Sequence, residues 1–207
     1  TETLRIGGAI ARYTRDGYGT NLNTGAEHYN KDVTAGRLSV EWTPRDDLFF
    51  RLAGDITEDE SNARHGYRLK APTTDDVYDT RAGIGDDGYV RTRGLSLTGE
   101  WNVNDTVTLK SVTAWRDGDT KGDGIDFDGL LQPILDIPGY YADSQFTQEF
   151  QLLFQGERWQ GVAGVFYMDA SAEGAFDTVI GLYPSMGPGL PAGLTTFTGG
   201  KVDTESF

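Results

Sequence analysis

Between Tyr89 and Trp115 apolar and polar positions alternate. Leu95, Leu97, Gly99 and Trp101 fall on one parity and Gly94, Ser96, Thr98 and Glu100 on the other, the period of two of a strand with one apolar face. Asn102-Val103-Asn104-Asp105 breaks the pattern. Val107 and Leu109 then resume it opposite Thr108 and Lys110, and the segment runs on through Val112, Ala114 and Trp115. This predicts a two-faced hairpin with strands of about ten residues.

The same pattern recurs along the chain. Leu4, Ile6, Gly8 and Ile10 alternate with Arg5, Gly7, Ala9 and Ala11, predicting a first strand that ends near Tyr13. Leu38, Val40 and Trp42 alternate with Arg37, Ser39 and Glu41 up to Pro44, which has no N–H to give a ladder. After a turn at Arg45-Asp46-Asp47, Leu48, Phe50, Leu52 and Ile56 alternate with Phe49, Arg51, Ala53, Asp55 and Thr57. Past the central hairpin, Phe146, Phe150, Leu152 and Phe154 alternate with Gln145, Thr147, Glu149 and Gln151, and Gly156-Glu157-Arg158 makes a further turn. A seventh strand is expected from Trp159 to Ala170, with Val162, Gly164, Phe166 and Met168 as candidates for its outer face, although Ala163, Val165 and Tyr167 leave its parity open. A last Gly- and Pro-rich loop is expected to reach about Gly200, and Lys201 to Phe207 reads as the approach to an eighth strand.

The connections sort by length. Long loops follow the first, third, fifth and seventh strands, whereas the turns at Pro44, Asn102 and Gly156 are short. Soluble antiparallel sandwiches have no reason to sort loops by side, but outer-membrane barrels keep short turns at the periplasmic edge and long loops outside. The expected fold is therefore all-β, an antiparallel up-and-down meander of seven to eight strands forming a segment of a large transmembrane β-barrel, with residues 1–207 as a partial barrel domain. The alternative is a soluble secreted all-β module that binds carbohydrate or another ligand.

Composition sharpens this picture. Gly 28, Tyr 10, Phe 10 and Trp 4 describe a glycine-rich aromatic β protein, and the lack of Cys excludes disulfides and thiolate metal sites. A formal charge of −14 argues against a nucleic-acid partner. The longest apolar run, Val162 to Met168, is too short for a transmembrane helix. A chain that begins Thr-Glu-Thr is expected to be a mature, processed or excised one.

The motifs assemble no catalytic site. Gly83-Ile84-Gly85-Asp86-Asp87-Gly88 has the spacing of a dinucleotide fingerprint, but a strand follows it and its acids would repel a pyrophosphate. Asp117-Gly118-Asp119-Thr120-Lys121-Gly122-Asp123 resembles the start of a calcium loop, yet Lys121 takes a ligand position and Asp128 stands where a bidentate Glu belongs. Weak calcium binding by Asp117, Asp119, Asp123, Asp126 and Asp128 is the candidate that remains, bridging acidic loops to lipopolysaccharide. His28 and His65 lie in different loops, with no nucleophile elbow and no second ligand at helical spacing. Asn104-Asp105-Thr106 is a sequon that coincides with the hairpin turn. No enzyme and no cofactor are expected.

Arg15-Asp16-Gly17-Tyr18-Gly19, Lys31-Asp32-Val33, Gly36-Arg37-Leu38-Ser39 and Trp42-Thr43-Pro44 resemble the early barrel of TonB-dependent outer-membrane receptors of the iron-complex type. Thr108 to Arg116 and Gln145 to Phe150 are similar to later strands of that family in the same order. The resemblance implies about a third of a barrel of roughly 22 strands, taken from its first half, which encloses a plug worked by the TonB energy complex. It implies an outer-membrane location in a Gram-negative bacterium, lipid and lipopolysaccharide around the barrel, and a small-molecule substrate, a ferric siderophore before others. It carries over no ligand residues.

Two expectations combine parity with turn position. Arg51, Asp55, Glu100 and Glu149 lie opposite the apolar stripe and are expected to face the lumen, some of them the plug. Trp42, Trp101 and Trp159 adjoin short turns and are expected to form one membrane-interface girdle. Tyr13, Tyr89 and Trp115 are expected to form the girdle at the outer edge.

Overall fold

The computed structural model describes residues 3–132, 134–181 and 194–207. In chain order the strands are β1 (Leu4–Arg15), β2 (Gly19–Thr20), β3 (Glu27–His28), β4 (Lys31–Arg45), β5 (Leu48–Asp59), β6 (Gly88–Asn104), β7 (Val107–Gly122), β8 (Ile125–Asp126), β9 (Leu135–Ile137), β10 (Gly139–Gln155), β11 (Gln160–Ile180) and β12 (Leu194–Ser206). The eight long ones form an antiparallel meander in the order β1-β4-β5-β6-β7-β10-β11-β12, each pairing with its neighbour along the chain. The sheet does not close: among the described residues β1 and β12 are its edges.

Short turns join β4 to β5, β6 to β7 and β10 to β11, all at one end of the sheet. The β4–β5 register shifts between Trp42 and Arg45, so Pro44 sits inside an irregularity that needs no donor from it. β4 therefore continues past the proline instead of ending before it.

Several strands exceed the length that apolar parity predicts. β7 carries Asp117 and Asp119 in its ladder, where the sequence reads as loop, because charged residues hold strand pairing wherever the sheet stands in water. β9 pairs with β11 in the register of β10, so the two are one strand interrupted at Pro138, whose carbonyl accepts from Asp177 N–H at 2.9 Å. Of the loop expected between Ala170 and Gly200, residues 171–180 continue β11, residues 194–200 belong to β12, and residues 182–193 lie outside the described residues. From Leu194 onwards the chain is already β12, a full strand rather than the approach to one.

The sheet has no interior of its own. Among the described residues only Ala82 and Ala175 are buried apolar residues, while Leu38 is 56%, Leu95 52%, Phe150 54% and Val165 68% exposed. Burial is concentrated in the long loops, where Asn21, His28, His65, Thr74, Thr80, Asp126 and Asp136 are all covered. The molecule is thus an uncovered two-faced sheet carrying a folded polar cap at the end away from its short turns.

Candidate functional site

Directly paired residues share a face, so register assigns every side chain of the sheet to one side or the other. One face gathers Ile6, Val40, Leu52 and Leu97, then Leu95, Trp115 and Phe146, then Phe150 and Val165. Ala163, Val165 and Tyr167 of β11 belong to it. Val162, Gly164, Phe166 and Met168 therefore lie on the opposite face, beside Glu149, contrary to the sequence expectation. β11 has apolar residues on both sides, so its parity alone could not choose.

Among the described residues Ser111, Thr113 and Gln148 form a polar cluster within the apolar band that satisfies itself, and towards β12 the same face also carries Asp169 and Glu205, the latter accepting from Tyr167 Oη–H at 3.3 Å. Thr113 Oγ1 donates to Gln148 Oε1 at 2.6 Å, and Gln148 Nε2 donates to Ser111 Oγ at 3.0 Å. Polar groups on a face without water need such partners.

The opposite face is laced with charge. Arg51, Asp55, Glu100 and Glu149 all lie on it. Arg5 and Arg51 flank Glu41 at 3.4 and 3.9 Å, Lys110 meets Glu100 at 2.7 Å, and Arg116 meets Asp55 at 3.1 Å. Glu149 accepts from Gln151 at 2.6 Å.

The aromatics divide. Trp42 and Trp101 share the apolar face at the short-turn end, where Trp42 stacks on Phe50 and Trp101 Nε1 donates to Asp47 of the turn at 3.1 Å. Trp159 lies in the turn between β10 and β11 and is 79% exposed. Trp115 is on the same face, six residues along β7 from Leu109, the partner of Trp101. Tyr13 pairs with Val33 and lies on the other face, so it cannot share a girdle with Trp115. Tyr89 has the right face but stands beyond Arg91 and Arg93, further from the short turns than the apolar band reaches. Parity already places Tyr13 with Arg5, Gly7, Ala9 and Ala11, opposite Leu4, Ile6 and Ile10; the girdle expectation rests on its position at the strand end and not on its face.

Beyond Trp115 the same face turns ionic. Arg93 pairs with Asp117 at 2.8 Å and covers the Trp115 ring at 5.3 Å, Arg91 pairs with Asp119 at 3.0 Å, and Arg12 pairs with Asp32. Asp117 and Asp119 are thus committed to arginines, and Asp123 accepts from Asp87 N–H at 2.9 Å. These three are engaged separately, whereas Asp126 and Asp128 of the same candidate set come together with Asp136. Arg and Asp repeating at every second position on both arms of the hairpin was the signal in the sequence.

The cap is held by polar contacts between loops distant in sequence. His28 Nδ1–H donates to Tyr78 O at 2.9 Å, so its Nε2 is free to accept from His65 N–H at 2.9 Å. His65 Nδ1 accepts from Asp126 N–H at 3.3 Å, and its Nε2 faces Asp86 at 3.7 Å. Asp86 also accepts from Asn21 and Thr24 at 2.8 and 2.7 Å. Burial holds the His65 pKa below the ordinary imidazole value, with Asp86 and Asp126 opposing. Gly83 of the fingerprint-like segment donates its N–H to Asp126 Oδ2 at 3.0 Å, and a Cβ there would collide with the Leu131 backbone. Its glycine serves loop packing.

At the tip of the extended β7–β10 hairpin, Asp126, Asp128 and Asp136 bring carboxylate oxygens within 4.8 Å of one another. Asp126 and Asp136 are directly opposite across the β8–β9 ladder and are 0% and 3% exposed. Burial, together with the neighbouring carboxylates, pushes Asp136 up to about 6, and burial raises Asp128 as well.

No family model matches the chain, and no curated protein does. Among solved structures it is similar to the ferric yersiniabactin uptake receptor FyuA from Yersinia pestis, with a TM-score of 0.54 at 14% sequence identity. The likeness covers 98% of this chain and 38% of that receptor, so the chain spans well under half the receptor's length. At that identity it shows the fold.

Proposed function

We propose that this chain is part of the barrel of an outer-membrane, TonB-dependent active transporter whose substrate is a small iron chelate, a ferric siderophore before others. The observation that carries the proposal is the division of the sheet from β1 to β10 into an uncovered apolar face and an ion-paired polar face, in a fold similar to that of a ferric-chelate uptake receptor. Lipid is the environment that suits the first face, since a charge facing it at mid-depth costs about 2 to 4 kcal/mol for Arg. The polar face suits a lumen, with Arg51, Asp55, Glu100 and Glu149 turned toward the interior and a plug. The ionic fringe beyond Trp115 and the folded cap suit the outer leaflet and the medium above it. Residues 1–207 form a barrel segment in this scheme, and the TonB complex acts through the plug.

A soluble binding module fits less well, because such a module covers its apolar face, and here large side chains of that face are exposed from β1 to β11. The test is growth under iron limitation of a strain deleted for the intact gene, supplied with single ferric chelates. Loss of growth on one chelate, reproduced by inactivating TonB, is the expected result. Equal growth of wild-type and deletion strains on every chelate would move the substrate to a carbohydrate or cobalamin.

A further inference from the structure

The carboxylates at the tip of the β7–β10 hairpin are arranged for something they do not touch in the protein. Asp126 is fully engaged by amides: Oδ1 accepts from Asp128 N–H and Gly129 N–H at 2.9 and 2.6 Å, and Oδ2 accepts from Gly83 N–H. Asp128 Oδ2 accepts from Ile134 and Leu135 N–H at 2.9 and 2.6 Å, but its buried Oδ1 has no hydrogen-bond partner among the described residues. Asp136 is 3% exposed, and its buried Oδ1 has no hydrogen-bond partner among the described residues. No Lys or Arg pairs with any of the three among the described residues. His65 presents its Nδ1 to the Asp126 amide as an acceptor.

Like charges directly opposite in a ladder repel, and a buried carboxylate without a donor is costly. The amides fix Asp126 and Asp128 in place while leaving two buried oxygens unpartnered within one small cluster. Oxygen atoms on opposite sides of a calcium ion with bonds of about 2.4 Å are roughly 4.8 Å apart, and the three carboxylates fall within that span. All three candidate donors are hard oxygens, which excludes a preference for soft metals.

We propose that Asp126, Asp128 and Asp136 bind a hard divalent cation, calcium in particular, which locks the β8–β9 tip and through Gly83 and His65 ties it to the loop between β5 and β6. The inference does not depend on which substrate the barrel carries. Three carboxylates on a loop match the weak end of protein calcium sites, with Kd about 10⁻⁴ to 10⁻³ M.

The test is amide hydrogen exchange on the intact protein in detergent micelles, titrated with calcium chloride and separately with magnesium chloride. Calcium is expected to slow exchange at Gly83, Asp128, Gly129, Ile134 and Leu135 at least tenfold, saturating in the millimolar range or below. Asp136→Asn, which keeps shape and removes one charge, is expected to fold with the same sheet protection and to raise the required calcium at least tenfold. Asp117→Asn, whose carboxylate serves Arg93, is expected to leave the calcium response unchanged. If wild-type exchange at those amides ignores calcium, if magnesium acts equally at equal concentration, or if Asp136→Asn responds like wild type, the proposal is overturned. The wild-type titration decides it alone should the variant misfold.

Discussion

Arg116 reaches Asp55 at 3.1 Å from two strands away, because Gly94 stands between them and has no side chain to bar the way. A Cβ on Gly94 would meet Arg116 Cζ at 3.2 Å, so the guanidinium lies flat over the backbone of β6. Glycine is needed here for close approach rather than for its backbone freedom.

That geometry predicts a non-additive pair. Gly94→Val is expected to push Arg116 off its path and cost about 0.5 to 1 kcal/mol, the range of a partly exposed ion pair. Asp55→Asn should cost a similar amount alone and nothing further in the Gly94→Val background. Urea unfolding of the intact protein in liposomes measures all three; full additivity would show that the pair contributes nothing through Gly94.

Gln148 makes a prediction for the opposite face. Replacing it with Leu strands the hydroxyls of Ser111 and Thr113 in the apolar band and is expected to destabilise by about 1 kcal/mol. The triple change Ser111→Ala, Thr113→Val and Gln148→Leu removes all the partners together and should restore or exceed wild-type stability. The sign change between single and triple variants, read in the same unfolding assay, is the diagnostic.

Acid should weaken the contacts of His65, whereas Asp136, raised to about 6, works in the opposite direction at the β8–β9 tip and gains as it protonates. The folded pKa of His65 lies below its unfolded value near 6.5, so its contribution to stability is present above that value and is lost as pH falls below it. A charged His65 must also protonate the nitrogen that accepts Asp126 N–H. Protection factors, in which the intrinsic pH dependence of exchange is divided out, are therefore expected to fall for the His65 and Asp126 amides on going from pH 7.5 to 5.5, with those of the β6–β7 ladder unchanged. His65→Gln, which offers an oxygen acceptor and does not titrate, should flatten the dependence.

The meander and its short turns were legible because strand parity is a local property. Leu95 and Leu97 against Ser96 and Thr98 need no knowledge of the rest of the chain. Legibility failed where both parities looked alike: β11 carries Val162 and Phe166 on one side and Val165 and Tyr167 on the other, and only pairing with Glu149 and Phe150 chooses between them. Tyr13 failed differently, because its place at the strand end suggests a girdle whereas its parity with Arg5 and Ala11 sets it on the other face. The cap was illegible for a different one, since His28, His65, Asp86 and Asp126 meet through contacts that span tens of residues and follow no period. The candidate calcium set runs from Asp117 to Asp128 along the chain; two of its members, Asp126 and Asp128, join Asp136 across a hairpin, a partner that no spacing announces.

The central claim is that β6 separates lipid from a polar interior residue by residue, and the absence of Cys from the chain makes it directly measurable. Single cysteines at positions 95, 96, 97 and 98 of the intact protein in liposomes, labelled with an environment-sensitive fluorophore, are challenged with a lipid-borne quencher and a water-soluble one. The account predicts that labels at Leu95 and Leu97 are quenched from the lipid and those at Ser96 and Thr98 from water, in strict alternation. Equal quenching of all four from water, or quenching of Ser96 and Thr98 from the lipid, would contradict it.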